Sequence, residues 1–216
     1  MEPLIFKKNI LNGFQELKNG KFGEVRISCL FNGQKYQLIL LTAECFNDIK
    51  LMELLSRWRK KHEFWFQAQF PISAERTIAW FKNKVIGAPD RLLFIIKVDD
   101  LYIGHVGLFR FNFENLTCEI DNIVRGEDNV VPGIIGDSVA KMMEWGKNNF
   151  GIKNYTLQTT SDNDKALRLY DKMGFVEIKR IPLLYQKTEE GGQWIEAPAE
   201  YNEPIKRYDV YMELKK

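Results

Sequence analysis

Two strand-like runs open the readable pattern, Gly23 to Phe31 and Gln34 to Leu41. Asn32-Gly33 joins them, and because both residues accept positive φ the pair reads as a type I′ hairpin. The period then lengthens. Leu51, Leu55 and Trp58 form one stripe of a helix from about Asn47 to Lys61. Phe64 to Phe70 is aromatic and irregular, and Pro71 interrupts it. Ser73 can cap a second helix, with Glu75 near its positive end, Trp80, Phe81 and Val85 facing inward, and Gly87-Ala88-Pro89 ending it. Leu92 to Val98, Leu101 to Phe111 and Leu116 to Val124 return to strand-like runs, the first two joined by Asp99-Asp100. Pro132-Gly133 opens a helix to about Asn149, with Ile135, Val139, Met142 and Gly146 along one face and Gly151 as its stop. Tyr155 to Thr160 is a strand. Ser161 with Asp164 resembles a capping box, and the helix that follows carries Ala166, Leu169, Tyr170 and Met173 before Gly174. Phe175 to Gln186 and Arg207 to Leu214 close as strands around a Gly- and Pro-containing loop, Glu189 to Pro204. This alternation predicts an α/β (α+β) fold, a mixed central sheet flanked by helices.

Composition narrows the field. The 216 residues suit one domain with an added element. Lys and Arg total 31 and Asp and Glu 29, so no overall basic footprint for nucleic acid exists, although a local site can still be positive. The apolar runs Leu38 to Leu41 and Leu92 to Ile96 are too short to span a bilayer, and Met1 to Asn9 holds no signal-peptide core. Cys29, Cys45 and Cys118 are odd in number and widely spaced, without a metal-ligand pattern. A cytoplasmic protein without metal, nucleic acid or membrane partner is the expectation.

Three segments carry a family likeness: Leu101-Tyr-Ile-Gly-His-Val-Gly-Leu108, Cys118 to Ser138, and Asn163-Asp-Lys-Ala-Leu-Arg-Leu-Tyr-Asp-Lys-Met-Gly-Phe175. The third matches the pattern Asn-x-x-Ala-x-x-x-Tyr-x-x-x-Gly-Phe between two strands. Together they resemble the GNAT (acyl-CoA N-acyltransferase) superfamily over roughly Tyr36 to Thr188 with the last strand added. On that likeness, 1–35 is an extension bearing the hairpin and 36–216 the N-acetyltransferase domain. The resemblance implies acetyl transfer from acetyl-CoA to a primary amine. It also implies a pyrophosphate site at a helix N-terminus, where free N–H groups and a partial positive charge meet. The residues placed on the co-substrate are Ile123, Val124, Val131, Gly133, Ile134, Gly136, Asp137, Asn163, Ala166 and Tyr170. Ile123 is the choice for contact with the pantetheine arm and acyl carbonyl, on a strand that in the family is splayed from its neighbour. One departure stands out: Val130 occupies the family's basic or amide position, Ile135 stands where a second small residue belongs, and Gly136 comes one residue late. Either the loop is remodelled or CoA affinity is reduced.

The chemistry needs a neutral amine, a stabilised oxyanion and a proton for the departing thiolate. Tyr170 matches the family tyrosine beside the CoA sulfur and is assigned as general acid, though its place on an apolar stripe also suits a core residue. Asn163 matches the asparagine on the CoA arm and is as good a helix cap, with Ser161 and Asp162 able to cap instead. Glu119 resembles the glutamate base of histone-type members. Asp121, two residues on, shares its strand face, and paired carboxylates raise one pKa; a face that is solvated or pairs with Lys and Arg is the alternative. His105 can join a proton relay or be structural. His62, with Arg59 and Lys60, lies where the family receives its acceptor and can hold phosphate or end a solvated helix.

Leu55-Ser-Arg-Trp-Arg59 and Ile72 to Trp80 resemble a subgroup that contains ribosomal-protein N-terminal acetyltransferases and nucleotide amino-sugar acetyltransferases. Of these, the basic cluster and aromatics Trp58, Phe64, Trp65 and Phe66 favour the amino sugar. Peptide acetylation and non-catalytic acyl-CoA binding are the alternatives. The hairpin and the Gln193 to Glu203 loop lie outside the family core and are candidates for a homodimer contact or for shaping the acceptor site.

Overall fold

The computed structural model describes residues 1–215. Its first element is absent from those the pattern predicts: a helix, α1 (Pro3–Asn19), precedes the hairpin. Pro3 sits in its first turn, where a missing N–H costs nothing. Phe6, Ile10 and Phe14, spaced by four, are wholly buried on one stripe. Strands β1 (Arg26–Phe31) and β2 (Gln34–Leu40) form the expected hairpin, with Asn32 and Gly33 both at positive φ (49° and 82°). Helix α2 (Ile49–Lys61) is capped by the Asp48 side chain, which accepts from the Leu51 N–H at 3.0 Å. A two-residue strand, β3 (Ala68–Gln69), precedes α3 (Ala74–Trp80). Ser73 caps α3, and the coil then widens to a π-turn over Phe81–Ile86.

Next come β4 (Leu92–Val98), β5 (Leu101–Asn112) and β6 (Thr117–Arg125), then α4 (Ile134–Phe150), β7 (Asn154–Thr160), α5 (Asp164–Lys172) and β8 (Phe175–Thr188). The segment expected as a loop after Thr188 contains a strand, β9 (Gly191–Glu196), which turns back along β8; Trp194 packs on Tyr185 with ring centroids 5.3 Å apart. β10 (Arg207–Leu214) completes the chain. The sheet has ten strands in the order β1-β2-β4-β5-β6-β7-β10-β8-β9-β3. Every pairing is antiparallel except β6 with β7, which the α4 crossover connects. This is the mixed sheet with flanking helices that the pattern predicts.

The short apolar runs now have a cause. Leu38, Leu40, Leu92, Phe94 and Ile96 point to the face covered by α1 and α4, while Ile39, Leu41, Leu93 and Ile95 point to the face covered by α2 and the π-turn. A strand buried on both sides needs no polar alternation. The N-terminal helix belongs to the first of these cores: the Phe14 ring meets Phe111 and Phe150 edge-on at 5.4 and 5.0 Å. Phe14→Ala should lower unfolding free energy by about 3–5 kcal/mol, measurable as a reduced denaturant midpoint; a loss under 1 kcal/mol would mean that α1 is an appendage.

Candidate active site

The site grows from a break in the sheet. β6 pairs with β7 only from Thr117↔Asn154 to Glu119↔Thr156. Beyond that, β6 bulges: its register with β5 runs from Gly107↔Asp121 to His105↔Val124, so Asn122 and Ile123 stand opposite Val106 alone, and Asn122 takes φ of 51°. The bend carries β6 away from β7, as expected for a splayed strand, and leaves its backbone without a strand partner on that side. A cleft of about 1220 Å³ opens between them, ample for an extended co-substrate and an acceptor.

The loop leaving β6 is stapled to the end of α2. Glu127 accepts from Trp58 Nε1 at 2.9 Å and from Arg57 at 3.3 Å; Lys61 Nζ reaches the Gly126 carbonyl at 3.0 Å and Asp128 at 2.8 Å; His62 Nε2 lies 2.7 Å from the Arg125 carbonyl. His62 thus lines the cleft, but its Nε2 is engaged with the loop. The loop ends at Gly133, whose φ of 93° suits glycine alone, and α4 starts there; the Ile134 N–H bonds the Val131 carbonyl, which leaves those of Ile135 and Gly136 as the first-turn donors without a partner among the described residues.

Of the residues placed on the co-substrate, Ile123, Val124, Val131, Gly133, Gly136, Asn163, Ala166 and Tyr170 line the cleft. Ile134 and Asp137 do not, and those two placements are corrected. Ile134 is wholly buried in the core, and Asp137 accepts a 2.5 Å hydrogen bond from the Tyr36 hydroxyl while its own N–H bonds the Gly133 carbonyl. The irregular spacing of the loop also has an account. Ile135 edges the cleft but joins the apolar core, whereas Gly136 faces α5, where a Cβ would stand 3.0 Å from Leu169. Asn163, rather than Ser161 or Asp162, caps α5, its Oδ1 accepting from the Ala166 N–H at 3.3 Å, which leaves its amide nitrogen to the cleft. Ser161 instead accepts from Tyr208, and Asp162 pairs with Arg207. Tyr170 is 6% exposed, its hydroxyl makes no hydrogen bond among the described residues, and burial pushes its pKa further up, so it remains a proton donor.

The other half of the cleft is rich in charge. Glu119 and Asp121 both line it, each with a guanidinium the sequence had not linked to it: Arg110 contacts both oxygens of Glu119, and Arg91 Nη2 meets Asp121 at 2.5 Å. Burial raises the Glu119 carboxyl and the Arg110 pair opposes that rise, while the same pair raises Arg110 against its own burial. A carboxylate clasped on both oxygens is poorly placed to take a proton, so the alternative reading of Glu119 as an Arg-paired face is the one the geometry favours. Arg59 stacks 3.4 Å from the Phe66 ring centroid and donates to the Ala68 carbonyl at 2.6 Å; its Nη1 is buried without a partner among the described residues. Burial lowers its pKa to about 10, still fully charged near neutrality. His105 donates from Nδ1 to the Asn122 carbonyl at 2.8 Å, which leaves Nε2 as an acceptor, and burial lowers its pKa to about 4. Asp209 of β10, which no motif marks, also lines the cleft and is 4% exposed; Gln67 Nε2 donates to its Oδ2 at 2.8 Å.

The profile of an acetyltransferase (GNAT) domain family matches residues 38–176. No curated protein sequence matches the chain. Among solved structures, the chain is similar to RimL, a ribosomal L7/L12 α-N-protein acetyltransferase (11% identity, 90% of this chain and 97% of that one, TM-score 0.59). It is likewise similar to FdhC, a nucleotide-linked sugar GNAT (16%, 88% and 90%, TM-score 0.59). A third similar structure is a Vibrio cholerae spermidine N-acetyltransferase with CoA and spermine (17%, 85% and 96%, TM-score 0.59).

His105 supplies a direct check on the electrostatics. In the unfolded chain its ring takes a proton near pH 6.5, in the folded chain only near 4. Its neutral state therefore favours folding above about pH 6.5 and that contribution fades as pH falls toward 4. Nitrogen NMR at pH 6 should show it neutral and Nδ1-protonated; an imidazolium signal at that pH would contradict the burial.

Proposed function

We propose that the chain, which belongs to the GNAT acetyltransferase family and takes its acetyl group from acetyl-CoA, delivers that group to the primary amine of a nucleotide-linked amino sugar. The observation that carries the acceptor is Arg59: a half-buried, aromatic-stacked guanidinium lining the cleft, with one nitrogen unpartnered among the described residues. A planar guanidinium suits a diphosphate oxygen pair. Lys84 adds positive charge nearby on the cleft wall, beside Arg76, which is paired with Glu190 at 2.9 Å, and Trp65, Phe66, Phe70 and Trp80 offer surfaces for a base or sugar. A polyamine would want the reverse, and Glu119 and Asp121 are already neutralised by Arg110 and Arg91. That one chain of similar fold is a nucleotide-linked sugar GNAT lends the reading outside support.

Acetyl-CoA supplies an acyl group activated as a thioester. The residues fit it: the α4 N-terminus and Gly133 suit the pyrophosphate, the open flank of β6 at Ile123 and Val124 suits the pantetheine arm, and the Asn163 amide reaches the same side. Tyr170, protonated and unpartnered, is positioned to hand a proton to a departing thiolate.

Mass spectrometry of reactions with uridine-diphosphate amino sugars, spermidine and short peptides should find the acetylated nucleotide sugar. Product from spermidine or peptide alone would overturn the acceptor assignment. Tyr170→Phe should lower kcat by about 10²–10⁴-fold while calorimetry shows unchanged acetyl-CoA affinity.

A further inference from the structure

We propose that Asp209 is the group that receives the ammonium of the acceptor and takes its proton. This rests on the amine-acetylating reading but not on which amine is used. Glu119 is held on both oxygens by Arg110. Asp121 Oδ2 takes both Arg91 and the Asn122 amide. Asp162 is tied to Arg207 and Asp128 to Lys61, and Asp164 stands exposed at the start of α5. Asp209 is the buried cleft carboxylate whose direct partner is a neutral amide, Gln67, leaving its Oδ1 without a hydrogen bond among the described residues.

The surroundings keep that carboxylate available. Across β10 its register partners are Thr160 on β7 and Ile181 on β8, both uncharged. Arg110 from β5, itself paired with Glu119 of β6, is the charged group that acts on it at longer range, and it favours the ionised form. On its own strand, Arg207 is committed to Asp162, and Tyr211 is flanked by Lys179. Burial pushes the Asp209 carboxyl up to about 6, with Arg110 and Gln67 opposing the rise. A carboxylate in that range is ionised at neutral pH yet more basic than an ordinary one, the compromise general-base catalysis requires.

The step balances as a single proton transfer. An N–H bond of the bound ammonium breaks, an O–H bond forms on Asp209, and the nitrogen keeps the lone pair with which it can attack an acyl carbon. The carboxyl then returns its proton to solvent.

The test is the pH profile of kcat/KM with whichever of the uridine-diphosphate amino sugar, spermidine or peptide is acetylated. The wild type should lose activity below about pH 6. Asp209→Asn should fall about 100-fold at pH 7 and recover as pH rises toward the amine's own pKa, with acetyl-CoA affinity unchanged. Gln67→Leu, at an exposed residue, should move the acid limb to higher pH. An unchanged acid limb in Asp209→Asn and Gln67→Leu, or its displacement in Glu119→Gln instead, would overturn the proposal whichever amine is used. Carbon NMR of aspartate-labelled wild-type protein gives a readout without any acceptor. One carboxyl should titrate near 6 and be missing from Asp209→Asn, and the absence of any aspartate titrating above 5 would also sink the idea.

Discussion

Strands β6 and β7 hydrogen-bond through Glu119 and Thr156 and then part, and the cleft exists because they do. A sheet this wide has no other reason to open in its middle. The bulge at Asn122 and Ile123 supplies the bend, because two residues on β6 must occupy the space of Val106 on β5. The parallel pairing supplies the rest: a strand that reaches its neighbour through the α4 crossover need not stay paired along its whole length, whereas a tight hairpin would hold the two together. What the bend exposes is polar backbone on the β7 side, a surface that wants a hydrogen-bonding ligand rather than a side-chain core.

Holding that opening falls to the far end of α2. Trp58 is 1% exposed, yet its indole N–H reaches Glu127, and Gly126 leaves its ring the room that any Cβ would take. Lys61 and His62 fix carbonyls of the same loop, and the Lys61 ammonium is favourably placed at the helix C-terminus. The basic cluster that looks from the sequence like a phosphate site is therefore divided. His62, beside Lys61, holds protein backbone, Lys60 is exposed and lies off the cleft wall, and Arg59, turned onto Phe66, lines the cleft. Spacing along a helix cannot show that division, because it depends on where the loop folds back.

Local rules reach as far as local causes do. The hairpin at Asn32-Gly33 and the end of α5 at Gly174 were legible because each rests on a backbone conformation that a few residues accept; the start of α4 was legible from Pro132, which stands just ahead of the cap Gly133. Helix α1 was not. Glu2 makes no side-chain cap, and Gly13 weakens the helical pattern at the point where Phe150 needs the space its Cβ would fill. β9 was hidden among glycines because its pairing is fixed by β8 rather than by its own sequence. Asp209 was hidden for a similar reason: Arg207, Asp209 and Tyr211 alternate as on any solvated strand face, and the hydrogen-bond partner of Asp209 comes from Gln67, 142 positions away. The wall of the cleft drawn from neighbouring segments, with eight of the ten residues expected there lining it, lies within reach of local patterns; the opposite wall, assembled from distant ones, does not.

His105 and Asp209 show what that assembled half does to charge. One is a base held neutral and the other an acid drawn toward neutrality, and in both the first cause is the loss of water. The cleft disfavours whichever form is charged unless a partner answers it, as Arg110 answers Glu119 and Arg91 answers Asp121. An ammonium entering the same place meets the same penalty, which lowers its pKa and brings it closer to the neutral amine that can attack. Proton removal is then shared between the site's low polarity and its acceptor group. The paired guanidiniums contribute by what they prevent: with Glu119 and Asp121 answered, Asp209 is left as the carboxylate that meets the ammonium, and the group that attracts it is also the one that can take its proton.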